Sequence, residues 1–300
     1  MDKRIGLNTT SLLQTHGELG AIDVIKNAGA SFVDFYTNGY SMDDPKSVYS
    51  KSDDEIVEHF TKIKRYAEDR GLSIYQTHGR MRTYLNDPIL NTLAIENARR
   101  DLLAAKALGA ECCVMHGVTT STMGVDCPAE IMRELEHETF LKILPFAKEY
   151  GVKFASETFG YTDSCKSLEF FAIGKEFIDA HERLWAISEY KDHLAICVDT
   201  GHCNTAYRFA KFTPSDYIRT FGKRISCLHM HDNDGISDQH LPLYSGNIDW
   251  NDTFDALDEV GFSGVYNLEV NCNRYGLGFE AEAAAFAVKI LKFALEKRYG

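Results

Sequence analysis

The sequence predicts an α/β fold, a (β/α)8 TIM barrel, on three observations. Apolar runs of strand length alternate with helix-length segments along the whole chain, the pattern of parallel strands joined by helical crossovers. Eight such runs can be counted, enough to close a barrel. The runs end on residues able to bind a metal: His78 after LSIYQT, His116 after CCVM, Glu157 after VKFAS, Asp199 after LAICV, His229 after ISCL and Glu269 after VYNL. In a barrel the carboxyl ends of the strands share one rim, so residues scattered over the sequence converge on one pocket.

The strands are expected at residues 4–8, 31–35, 72–77, 112–116, 153–157, 194–199, 225–230 and 265–269. Helical patterns between them cover Asp53–Arg70, Leu90–Leu108, Glu130–Tyr150 and Phe279–Lys297. Gly29, Gly71, Gly109, Gly151 and Gly261 each follow a helical run and precede a strand, where a left-handed residue ends a helix. An open doubly wound sheet is the alternative arrangement. Against it, no Gly-x-Gly-x-x-Gly follows the first strand and no phosphate-binding loop is present. A chain of 300 residues is read as a single domain, 1–300, because such a barrel takes about 250 residues.

Composition narrows the function classes. The formal net charge of −12 disfavours a nucleic-acid ligand, since affinity for a phosphate backbone comes from clustered Lys and Arg. No apolar run approaches the roughly 20 residues of a membrane span. The opening MDKRIGLNTT leads into a strand without a secretory pattern, and a cytoplasmic protein is expected. Eight cysteines lack any C-x-x-C pair and several lie in apolar runs, which fits buried thiols in a reducing compartment.

Two segments carry most of the chemistry. In CVDTGHCN, Asp199 ends a strand and His202 follows three residues later; oxygen and imidazole donors together suit Zn, Mn, Co or Fe. Read alone, this pair is equally well a helix cap with a surface histidine. The segment LHMHDNDGISDQHLPLYSGNIDW holds His229, His231, Asp232, Asp234, Asp238 and His240. Alternate residues of a strand share a face, so His229 and His231 can both point inward. The bland reading is a solvated loop, with Asn233 and Asp234 as turn formers. Glu157 and Glu269 each end an apolar run, where a buried carboxylate is costly unless paired, hydrogen-bonded or bound to metal.

With ETFGY, VDTGHCN, LHMHDNDG, DQHLPLYSGNIDW and NLEV in order and at barrel spacing, the chain resembles the xylose isomerase-like barrels over essentially its whole length. That superfamily includes sugar and sugar-phosphate isomerases and epimerases, and endonuclease IV. The resemblance to the D-tagatose 3-epimerase-like branch implies one divalent metal ion (Mn, Zn, Co or Mg) held by Glu157, Asp199, His229 and Glu269. It also implies proton transfer through a metal-stabilised enediolate by Glu157 and Glu269, with His202, His78 and His116 contacting a small sugar or sugar phosphate.

The resemblance to endonuclease IV implies an alternative, a trinuclear zinc phosphodiesterase acting on abasic sites, with His78, His116, His202, Asp238 and His240 as additional metal ligands. The chain departs from the family pattern after His78, where it reads GRMRTY, and after His116, where GVTTST replaces a proline-glycine turn. Loops that read DNA are therefore not assumed to carry over. Arg80, Arg82 and Arg274 follow strands and are candidates for a substrate phosphate or carboxylate, Arg274 above all. Phe35, Tyr36, Phe159 and Tyr161 are candidates for the pocket wall. Family members assemble as dimers or tetramers, which admits a homo-oligomer here.

Overall fold

The computed structural model describes residues 4–300. Eight parallel strands, β1 (Ile5–Asn8), β2 (Phe32–Tyr36), β3 (Ser73–His78), β4 (Cys112–Met115), β5 (Lys153–Glu157), β6 (Leu194–Asp199), β7 (Ile225–His229) and β8 (Tyr266–Leu268), follow one another around a barrel. Seven of the eight junctions are continuous strand pairings. The eighth, between β7 and β8, is narrower. There Met230 donates its N–H to the Asn267 carbonyl at 2.8 Å and accepts from the Glu269 N–H at 3.2 Å. The result is a (β/α)8 TIM barrel.

Local sequence accounts for the helices around it. Ser52 and Glu55 form a reciprocal capping box at the start of the helix Asp53–Glu68. Asp87 caps the helix Pro88–Leu108, whose first position is a proline that needs no hydrogen-bond donor. The five predicted helix-ending glycines all adopt left-handed backbone, with φ between 69° and 88°. Strand expectations agree to within one residue at each end. Two features lay outside the predicted pattern: a small antiparallel hairpin pairing Tyr161–Thr162 with Ser167–Leu168, and two successive helices, Thr200–Ala210 and Pro214–Phe221, after β6.

Strand alternation sorts the side chains. Leu194, Ile196 and Val198 of β6 join the main core shared with the outer helices, whereas Ala195 and Cys197 belong to a separate inner cluster with Cys112, Val114, Ala155 and Cys227. These small groups fill the barrel axis, and the next inward positions on the same strands are His116, Glu157, Asp199 and His229. All eight cysteines are free thiols, six of them buried. No helix among the described residues is long and apolar enough to cross a membrane.

Buried His181, in the helix Gly174–Trp185, packs against Trp185 and Phe221. Burial pushes its imidazole down from 6.5 to about 3. The unfolded chain therefore binds a proton that the folded chain refuses between these values. The stability it contributes is present above about pH 6.5 and is lost as pH falls toward 3, with a slope of up to about 1.4 kcal/mol per pH unit. His181→Phe is expected to flatten stability over that window in urea titrations at stepped pH; an unchanged acid slope would contradict the assignment.

Candidate metal and proton-transfer site

The carboxyl ends of the strands bring together five carboxylates (Asp34, Glu157, Asp199, Asp238, Glu269) and six histidines (His78, His116, His202, His229, His231, His240). Glu157 is the hub. Its Oε2 lies 2.9 Å from His116 Nε2 and 3.7 Å from His78 Nε2, and its Oε1 lies 3.1 Å from His229 Nδ1 and 3.4 Å from His202 Nδ1. Glu269 Oε2 meets the same His229 Nδ1 at 3.2 Å, and its Oε1 is 3.6 Å from His78 Nε2.

Asp199 does two things. Its Oδ1 accepts from the His202 backbone N–H at 2.7 Å, capping the helix that follows β6, and sits 3.0 Å from His231 Nε2. The imidazole of His229, expected from the sequence as a fellow metal ligand, lies 3.9 Å from Asp199 Oδ2. His231 is therefore the histidine that pairs with Asp199. Beyond it, His240 stacks on His231 with ring centroids 3.9 Å apart, bonds Asp238 Oδ2 through Nε2 at 2.9 Å and reaches the Glu269 carbonyl through Nδ1 at 2.9 Å. His240 holds φ at 48° to do so, a left-handed conformation that a non-glycine residue adopts at a cost of about 1–3 kcal/mol.

Burial and charge set the electrostatics. Burial pushes the Glu157 carboxyl up, but His116 and His229 beside it, with hydrogen bonds from His116 and His202, hold it well below the ordinary range. Glu269 goes the other way: burial, with Glu157 and Asp199 nearby, outweighs His229 and His240 and lifts it to about 8. Burial lowers His78 to about 4, so its ring is neutral at pH 7. For His240, burial is outweighed by Asp238, which raises it to about 10.

The donor set fits a divalent cation. Every ion-pair partner of Glu157, Asp199 and Glu269 among the described residues is a histidine. Ligand-type atoms converge in three groups: His78, Glu157, His229 and Glu269; His116, Glu157 and His202; and His231, His240 and Glu269. Buried His231 Nδ1 also has no hydrogen-bond partner. Carboxylate and imidazole donors of this kind suit Zn, Mn or Co.

A cavity of about 290 Å³ adjoins the cluster, lined among others by Arg82, His116, Phe159, Tyr161, His202 and Asp238. A larger cleft of about 440 Å³, around Arg4, Lys153 and Lys223, contains none of the predicted site residues. Of the other candidates, Tyr36 packs its ring against His78 at 5.7 Å. Phe35 instead points outward into the core against Phe60. Arg80 is spent elsewhere, bonding Asp101 at 2.6 Å and the Thr37 and Tyr40 carbonyls. Exposed Arg274 donates to the Gln239 carbonyl at 3.3 Å. Asp234 is a turn former, accepting from the Ile236 and Ser237 N–H groups.

Sequence reasoning missed Asp34, whose Oδ2 lies 3.1 Å from His229 Nε2, and left His231 out of the ligand set. Both were visible as polar residues at inward positions, one in the apolar run SFVDFY and one two residues beyond His229. Gly201 keeps the ring of His231 in place, because a Cβ there would lie 1.9 Å from its Cε1 and 2.4 Å from its Nδ1. Gly201→Ala is expected to cost about 1–3 kcal/mol by overpacking, measured by urea unfolding; a neutral substitution would mean that the His231 ring is free to swing away.

Comparison with known proteins agrees with this architecture. The uncharacterized protein MJ1311 of Methanocaldococcus jannaschii is 27% identical over 177 residues, 59% of this chain and 56% of that protein; the chain thus spans little more than half of its relative. The crystal structure of a D-tagatose 3-epimerase-like protein superposes with a TM-score of 0.70 at 21% identity, covering 98% of this chain and 97% of that one. That of the IOLI protein with a bound zinc atom gives 0.72 at 18% identity, covering 99% of each. The family pattern of the xylose isomerase-like TIM barrel matches residues 22–292, and the chain belongs to that family.

Proposed function

We propose that this protein is a metal-dependent isomerase or epimerase of a sugar or sugar phosphate, built on a single domain. One observation carries the reading: Glu157, at the end of β5, and Glu269, just past β8, both reach His229 Nδ1, at 3.1 and 3.2 Å. Two carboxyl groups converging on one position suit a base and an acid acting on one substrate. The zinc atom named for the IOLI structure and the epimerase named among the similar folds support the same reading.

A divalent cation (Mn, Zn, Co or Mg) held by Glu157, Asp199 and Glu269 with His229 or His231 would polarise the substrate carbonyl and the neighbouring hydroxyl. Glu157, held ionised, takes the proton from the carbon beside the carbonyl. Glu269 returns one at the other carbon or face. Each such transfer is worth about 10²–10⁴-fold in rate. His116 and His202 line the adjoining cavity, where they orient substrate hydroxyls, and Phe159 and Tyr161 exclude water.

The three convergent groups of ligand atoms favour one second reading, a trinuclear phosphodiesterase of the endonuclease IV type. The net charge of −12 counts against a DNA substrate. Glu157→Gln and Glu269→Gln should each keep the native circular dichroism spectrum. Each should also lose at least about 10²-fold in epimerisation and in deuterium uptake from D2O, across a panel of ketoses and ketose phosphates. Near-normal turnover in both variants would overturn the two-carboxylate mechanism. Abasic-duplex cleavage by the wild type without ketose turnover would favour the second reading.

A further inference from the structure

Asp34 lies fully buried on β2, and one of its oxygens gathers partners from four other strands. Oδ2 lies 2.8 Å from Asn8 Nδ2, 3.0 Å from Asn267 Nδ2, 3.1 Å from Gln76 Nε2 and 3.1 Å from His229 Nε2. The Asn8 amide is oriented by its own oxygen, which accepts from the Thr10 N–H and hydroxyl. Its nitrogen is thereby turned toward Asp34. A carboxylate can only accept, so the Nε2 that faces Asp34 carries a proton, and without a cation the Nδ1 that faces Glu157 carries one as well. The ring is further fixed by stacking on His78, with centroids 5.0 Å apart and planes 10° apart.

We infer that Asp34 is a positioning residue: it keeps the His229 proton on Nε2 and so makes Nδ1 the atom presented to Glu157 and Glu269. The inference rests on reading that cluster as a cation centre. Nδ1 is the nitrogen that lies within 3.2 Å of both glutamates. With Asp34 holding the Nε2 proton, Nδ1 is the nitrogen that gives up its proton and can turn a lone pair toward an ion held between those carboxylates. A carboxylate behind a ligand histidine fixes its tautomer and ring orientation, and losing such a partner costs about 10–100-fold in metal affinity. The amide groups of Asn8, Gln76 and Asn267 hold the carboxylate in turn. The hydrogen-bond contact of Asp34 with the site is through His229.

Two measurements test this. Nitrogen-15 NMR of histidine-labelled wild type loaded with Zn²⁺ should show His229 with Nε2 protonated and Nδ1 on the ion; a His229 bound through Nε2 with its proton on Nδ1 would overturn the inference without any variant. By calorimetry with Mn²⁺, Asp34→Asn should weaken binding about 10–100-fold and should add nothing in a His229→Gln background. An equal loss in both backgrounds would show that Asp34 acts on the fold and not through His229. If wild type binds neither Mn²⁺ nor Zn²⁺, the cation-centre reading fails and the inference falls with it; if it binds but the NMR or the variant cycle gives the contrary result, the inference alone fails.

Discussion

Three carboxylates, Glu157, Asp199 and Glu269, share the end of a barrel in which they are almost wholly withdrawn from water. Desolvated carboxylates stay charged only where positive charge or donors meet them, and the penalty otherwise is several kcal/mol per group. The chain meets this constraint with imidazoles, helped at Asp199 by the His202 backbone N–H, and it does not bring a lysine or arginine among the described residues into ion-pair contact with these three groups. Imidazole is the cationic side chain that can also give up its proton near neutral pH.

The barrel makes that concentration of charge affordable. Small side chains, Cys112, Val114, Ala155, Ala195, Cys197 and Cys227, fill the axis on the strands from β4 to β7. They leave room for the next inward positions to carry histidines and acids. The strands from β8 through β3 carry a different inner layer, with Asn267, Asn8, Asp34 and Gln76 hydrogen-bonded across the axis. His229 stands between the halves, bonded to Asp34 on one side and to Glu157 on the other. The two sets of residues thus form one connected network, and a change in the amide layer reaches the carboxylates through a single ring.

Much of this was legible in the sequence because strand periodicity is two and the barrel rim is shared. Runs ending in His78, His116, Glu157, Asp199, His229 and Glu269 needed only the fold class to be placed together. Glu157 and His116 do meet at 2.9 Å. What periodicity does not carry is distance across the axis. It placed His229 and His231 on one face, yet could not tell that Asp199 faces His231 at 3.0 Å and His229 at 3.9 Å. Asp34 was passed over because its run, SFVDFY, does not end on it. Arg80 was misjudged for a related reason: its position after a strand suggested a rim residue, but Asp101, from the helix that follows, captures it.

The measurement that bears most directly on the account is the metal content per chain of protein purified without added metal or chelator, by elemental analysis. The account predicts about one divalent ion per chain, with Zn, Mn or Co expected from the mixed oxygen and nitrogen donors. A chain that purifies without such an ion, and takes none up on dialysis against Mn²⁺ or Zn²⁺, would contradict it.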